Sequence, residues 1–298
     1  MSSADATILL LGATGQIGHA LRRTLAPLGS LHAPGRDTAD LAAPGTLRQA
    51  VREVRPDVVV NAAAQTDVDG AEEAPERARA LNAVAPGVLA EAADEVGAWC
   101  VHYSTDYVFD GTKRTPYTED DAPRPINVYG RTKLEGEEAV RAACERHLIL
   151  RTSWVYSARR TNFLRTMLRL AEEKSRVAVV DDEIGTPTWA GWVAEATAEV
   201  LWRVRAAPDS RALAGTYHVA AAGQTSWYGF ARAIFARFGR EDVTVEPVSS
   251  DEHPTTAARP AYTALGTERL RRTFGLSVPS WSAQLRRFHE EEAERPVA

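Results

Sequence analysis

Tyr129 and Lys133 sit four residues apart in the run Val128-Tyr129-Gly130-Arg131-Thr132-Lys133. On a helix that spacing places both side chains on one face. A free phenol titrates near pH ~10 and exchanges protons poorly at neutral pH. A neighbouring ammonium favours the phenolate, so the pair predicts a general acid or base. Upstream, Trp99 to Tyr103 reads as a strand that delivers Ser104-Thr105-Asp106. A hydroxyl at such a strand end can hydrogen-bond a carbonyl and polarise it. Each feature alone occurs by chance, so the elements that would bring them together decide.

The first of these elements is Ala6-Thr7-Ile8-Leu9-Leu10-Leu11, a short apolar run suited to a strand buried on both faces of a parallel sheet. It flows into Gly12-Ala13-Thr14-Gly15-Gln16-Ile17-Gly18, then a helical pattern with Leu21, Leu25 and Leu28. Strand, glycine turn and helix in that order predict a pyrophosphate cradle: backbone approaches closely and the helix start offers free N–H groups. The spacing is Gly-x-x-Gly-x-x-Gly. A second strand near Ser30 to Ala33 ends in Gly35-Arg36, where NAD-preferring sites carry an acidic residue. Arginine suits a 2′-phosphate, so NADPH is expected over NADH, with NADH retained as the other candidate. Leu47 to Val54 reads as a helix and Asp57 to Asn61 as the next buried strand, ending in Ala62-Ala63-Ala64. Ala74 to Val96 reads as one helical stretch carrying Asn82, Phe109 to Val128 as a functional loop, Tyr129 to about His147 as a helix, and Leu148 to Leu150 as a strand.

With Arg55–Ala64, Ser104-Thr105-Asp106-Tyr107-Val108-Phe109-Asp110-Gly111, Asn127–Lys133 and Arg151-Thr152-Ser153-Trp154-Val155-Tyr156 added to the glycine turn, the chain resembles an extended short-chain dehydrogenase/reductase. It is most similar to the dTDP-4-dehydrorhamnose reductase group, over nearly its whole length. The resemblance implies an α/β fold: a Rossmann-like doubly wound parallel sheet over residues 1–155, to which 177–205 return. A smaller, interleaved substrate domain would occupy mainly 156–298. It implies hydride transfer to the 4-keto group of a dTDP-linked 6-deoxy sugar. Tyr129 would be the proton donor, Lys133 would lower its pKa and bind the nicotinamide ribose, and Thr105 would bind the keto oxygen. Cofactor contacts would come from Gly12, Thr14, Gly15, Gln16, Ile17, Gly18, Arg36, Asp40, Leu41, Ala62, Ala63, Ala64 and Tyr103, with Asn82 holding the active-site helix. Substrate contacts would come from Thr66, Val68, Asp106, Tyr107, Trp154 and Arg259, the last as a diphosphate clamp. Two other readings of the family stay open. One is a relative that contracts the sugar ring before reduction, such as dTDP-dihydrostreptose synthase, or another dTDP-keto-deoxysugar reductase of antibiotic biosynthesis. The other is a non-catalytic NADP-binding regulatory subunit.

Some family members bind magnesium through two glutamates; by alignment Ala20 and Gly191 stand there, and neither can ligate a hard cation. No magnesium site is therefore expected, nor a dimer built on one, leaving a monomer or weak homodimer. Net charge is -5 over 298 residues with 44% hydrophobic content, which suits a globular protein and gives no electrostatic footprint for nucleic acid. Residues 1–6 lack a basic start, and the apolar run that follows is too short for a signal or membrane span. Cys100 and Cys144, the two cysteines, are expected as reduced, buried thiols in a cytoplasmic protein. His218 reads as a packed strand histidine, and the acidic run from Glu290 as a solvated helix end.

Overall fold

The computed structural model describes residues 5–293. Each strand of its first half is a short apolar run followed by a helix with one apolar face, so helices cover both sides of the sheet. The order is β1 (Ala6–Leu11), α1 (Gln16–Leu25), β2 (Gly29–His32), α2 (Pro44–Val54), β3 (Val58–Asn61), α3 (Val68–Glu73), α4 (Pro75–Arg79), α5 (Ala85–Glu95), β4 (Trp99–Thr105), α6 (Val128–Ala143) and β5 (His147–Thr152). Then come β6 (Val155–Tyr156), α7 (Phe163–Glu173), β7 (Arg176–Val180), β8 (Ile184–Gly185), β9 (Thr188–Trp189), α8 (Ala190–Ala206), β10 (Gly215–His218), β11 (Thr225–Ser226), α9 (Trp227–Arg237), β12 (Thr244–Val248), α10 (Glu268–Phe274) and α11 (Trp281–Ala293).

Six strands form one parallel sheet in the order β2-β1-β3-β4-β5-β10. One face carries α1 and α8, whose Leu21, Leu25, Val193 and Val200 pack with Ile8, Leu10 and Val101. The other carries α2, α5 and α6, whose Val51, Leu89 and Val140 pack with Leu9, Leu11 and Cys100. The doubly wound parallel sheet is thus in place. The order reverses between β1 and β3, and in open α/β sheets ligands bind at the carboxyl ends of strands at such a switch point. The glycine turn after β1 and Ala62-Ala63 after β3 flank it.

In the later residues, β7 pairs with β12, β6 with β9 and β8 with β11 in small two-stranded sheets. Helix α8 packs on α1, and β10 closes the large sheet beside β5. Two boundaries differ from expectation. Helix α6 stops at Ala143, because Cys144 is extended (φ -137) and His147 opens β5. The 74–96 stretch is α4 and α5 joined by a π-helical turn over Ala80–Val84. Pro86, in the first turn of α5, has no N–H to continue the α-helical ladder, and π-bulges concentrate at functional sites. The acidic run from Glu290 to Ala293 ends α11, with Glu294 outside the described residues, as are residues 1–4. Both cysteines are buried and unpaired, and no helix among the described residues is long and apolar enough to cross a membrane.

Candidate active site

Helix α6 is started by two side chains. Asn127 Oδ1 accepts the Gly130 N–H at 2.8 Å, and Glu72 Oε1 accepts the Val128 N–H at 2.7 Å. Gly136 lets the helix touch the π-helical turn: a Cβ there would overlap the Asn82 carbonyl oxygen. So placed, α6 points Lys133 at the end of β4. The Lys133 Nζ donates to the Tyr103 carbonyl at 2.6 Å and lies 3.3 Å from His102 Nε2. His102 Nδ1 in turn lies 3.3 Å from Asn61 Nδ2, and Asn61 Oδ1 accepts the Ala63 N–H at 3.1 Å. Lys133 is 2% exposed. Burial pulls its pKa down to about 8, against the opposing charge of Glu137. Burial, then the Lys133 charge, holds His102 well below the usual imidazole range and therefore neutral.

Tyr129 corrects an expectation. Burial pushes its phenol up to about 12, with a hydrogen bond to Thr105 pulling the other way. Lys133 is turned to Tyr103 and His102, so burial is the larger influence on the free phenol. A phenol that stays protonated at neutral pH is a ready proton donor, which is what a reduction requires.

Thr105 closes β4. Its hydroxyl donates to Asp106 Oδ1 and accepts the Tyr107 N–H, both at 3.1 Å. Ser153 donates to the other oxygen of Asp106 at 3.0 Å. Asp106 is 3% exposed. Its carboxyl is raised to about 6 by burial, with hydrogen bonds, those from Ser153 and Thr105 among them, pulling back. Its oxygens accept from Thr105 and Ser153, so Asp106 orients Thr105. Tyr107 packs edge-on to Tyr129 at 5.9 Å between centroids.

The glycine turn lies where the order reverses. Gly12 has φ 76, and a Cβ on it would come within 2.6 Å of the Ala62 backbone; only glycine fits between the two loops. Gly15 donates its N–H to the Gly12 carbonyl at 2.9 Å and precedes α1, while Gly18 is buried and Ile17 packs against the core. Thr14 is exposed, as are Arg36 beyond β2 and Ala64. The residues therefore fit a dinucleotide: small side chains, a close backbone and a helix start.

Four expected cofactor contacts point elsewhere with their side chains. Gln16 donates to the Val155 carbonyl at 3.3 Å and accepts from Ser157 at 2.8 Å and Asn162 at 3.0 Å. Leu41 packs in the core beside α2, next to Asp40, whose carboxylate accepts the Ala42 N–H at 3.0 Å. Tyr103 sits on the α8 face of β4, as strand alternation dictates, and its hydroxyl bonds Thr197 at 2.6 Å; it offers Lys133 a carbonyl, not a ring.

Asn82 is fully buried. It accepts the Gln65 N–H at 2.9 Å, donates to the Gln65 carbonyl at 3.0 Å and to Thr132 at 3.3 Å, so it ties the loop after β3 to α6. That loop leads through exposed Thr66 to half-buried Val68 at the start of α3. Arg259 Nη2 donates to Asp69 at 2.8 Å, whereas its Nη1 is buried without a partner. Trp154 has φ 44 and stacks on Trp227 with centroids 3.4 Å apart.

Sequence reasoning missed His102, Ser153, Asp69 and Trp227. A histidine inside an apolar strand was the available signal for the first; the others become neighbours only through the fold. His218 is fully buried, with burial holding its pKa down to about 3, so it is a packed neutral histidine. Among the described residues no group of three His, Cys, Asp or Glu side chains could hold a metal ion.

Fold and constellation together define an extended short-chain dehydrogenase/reductase. The RmlD substrate binding domain family model matches residues 6–294. The dTDP-4-dehydrorhamnose reductase of Burkholderia thailandensis is 48% identical over 284 residues, covering 92% of this chain and 95% of its own. That of Salmonella typhimurium is 44% identical over 293 residues, covering 95% and 97%. The crystal structure of dTDP-4-dehydrorhamnose reductase from Bacillus anthracis in complex with NADP superposes with TM-score 0.89 at 36% identity, covering 97% of this chain and all of that one. The chain belongs to the RmlD family.

Proposed function

We propose that this protein reduces the 4-keto group of dTDP-4-dehydro-6-deoxy-L-mannose with NADPH, giving dTDP-L-rhamnose. The observation that carries the reading is the gathering of Thr105, Tyr129 and Lys133 at the carboxyl end of β4, in a chain that aligns over 92–95% of its length with reductases of that name. The glycine turn, Ala62, Ala63 and the free end of α1 would hold the cofactor. Bound NADPH would supply the hydride to C4 of the sugar. Tyr129, protonated at neutral pH, gives its proton to the C4 oxygen. The Lys133 ammonium stabilises the phenolate left behind. The Thr105 hydroxyl, now donating to Asp106, turns its hydrogen to the same oxygen and offsets charge developing there. Arg259, held through Nη2 by Asp69, keeps Nη1 for the substrate diphosphate, and Trp154 with Thr66, Val68 and Tyr107 would border the sugar. The free, buried cysteines support a reducing, cytoplasmic setting.

The test is incubation with NADPH and the keto sugar nucleotide generated in situ, followed by NMR of the product. A six-membered rhamnose ring is expected. A branched five-membered ring would assign the ring-contracting reaction instead, and bound cofactor with no oxidation would point to a regulatory subunit. Tyr129→Phe should lower turnover by about a hundred- to ten-thousandfold while leaving cofactor affinity unchanged; wild-type turnover would remove Tyr129 from the chemistry.

A further inference from the structure

Beside the glycine turn opens a cavity of ≈ 670 Å³, bordered by Thr14, His19, Arg22, Arg159, Arg160 and Arg165. Two neighbouring arginines pair with acids: Arg23 reaches Glu195, and Arg169 reaches Glu173. None of the four lining the cavity lies within 4.0 Å of a carboxylate among the described residues. Four guanidinium groups around one void repel one another, and a site of that kind favours an anion. The arrangement stands out in a chain of net charge -5.

The cations are also held in place. Arg160 has φ 60, a conformation uncommon outside glycine. Asn162 Nδ2 donates to the carbonyls of Ser157 at 2.8 Å, Arg159 at 3.3 Å and Arg160 at 3.3 Å. The same Asn162 reaches Gln16 on α1, and Arg160 Nε donates to the Thr14 carbonyl at 3.1 Å. The 157–162 loop is thereby fastened across the turn that separates Gly12 from Gly15, and the terminal nitrogens of Arg160 remain for a ligand. Helix α1 leads from this turn to β2, the strand whose end meets the adenosine ribose in this class of fold.

We infer that this cavity is a phosphate-monoester site, filled by the 2′-phosphate of NADPH, with Arg160 and Arg22 as its principal cations. The inference rests on the NADPH-dependent reading above and locates its cofactor preference on α1 and the 157–162 loop, on residues other than Arg36. Planar guanidinium forks suit a terminal phosphate, and NADH presents only a hydroxyl at that position.

Binding of NADPH and NADH would be measured by cofactor fluorescence on the full chain, for the wild type, Arg160→Ala, Arg22→Ala/Arg160→Ala, Arg160→Lys and Arg36→Ala. The double variant should weaken NADPH by about ten- to a hundredfold, the range of charge-assisted hydrogen bonds, with NADH changed by less than about twofold. Arg160→Lys should recover part of the loss, which a merely misfolded loop would not do. Equal losses for both cofactors, or no loss for NADPH, would overturn the assignment. So would a saturable site for inorganic pyrophosphate that persists in NADPH-saturated wild type and vanishes in the double variant, since the anion would then be a separate ion. A selective NADPH loss confined to Arg36→Ala would return the preference to Arg36. Wild-type protein that binds neither cofactor would sink the NADPH reading together with this one.

Discussion

Lys133 and Asp106 carry the pH dependence expected of the site. Burial lowers Lys133 to about 8, so its ammonium is present below that pH and lost above it. Burial raises Asp106 to about 6, so its carboxylate, which accepts the Thr105 hydroxyl, is present above that pH and lost below it. The working form has both charges, and kcat/KM reports the free enzyme. The profile of kcat/KM should therefore be a bell with limbs near 6 and 8. Asp106→Asn should remove the acid limb and leave the alkaline one. A flat profile from about pH 5 to 10 would exclude both groups. The same residues show what a motif hides: four-residue spacing placed Lys133 beside Tyr129, but the nearest oxygen to its Nζ is the Tyr103 carbonyl.

At the scale of elements, the π-helical turn between α4 and α5 is the joint on which the site depends. It buries Asn82, and Asn82 joins the loop after β3 to α6 through Gln65 and Thr132. Asn82→Ala would leave the N–H and carbonyl of Gln65 without their partner. A cost of about 2–3 kcal/mol is expected for such half-buried groups, read as a lower urea midpoint at unchanged slope. An increase in the KM for NADPH should accompany it, because the loop also carries Ala62 and Ala63. A midpoint equal to wild type would show that α6 is held by packing at Gly136 alone. The helical period of residues 74–96 was visible in the sequence; the bulge was not, because it lies where Gly136 brings α6 against the Asn82 carbonyl, a contact that periodicity along 74–96 does not record.

For the whole molecule, the contact between α1 and α8 sets the expectation for assembly. Ala20 and Gly191 lie on these two helices and offer no oxygen donors. One helical turn beyond Gly191, Glu195 is engaged by Arg287 at 2.6 and 2.7 Å and by Arg23 at 3.8 Å. Sedimentation with magnesium and with a chelator should give the same mass. A dimer that dissociates on chelation would show a metal site the two helices do not provide.

The doubly wound class was legible in the sequence because buried parallel strands are short apolar runs and the helices between them carry one apolar face. The glycine turn was legible from its strand, turn and helix context, whereas Thr105, Tyr129 and Lys133 stood out as candidates only through the ordered set of motifs around them. Tertiary structure alone decided the rest. It placed β10 beside β5, turned Tyr103 into the core beneath α8, put His102 and Asn61 behind Lys133, and drew the 157–162 loop across the glycine turn. Those contacts join residues from 31 to 146 positions apart. No periodicity along the chain encodes them, since they arise when separate elements share one sheet edge and each buried polar group must find a partner there.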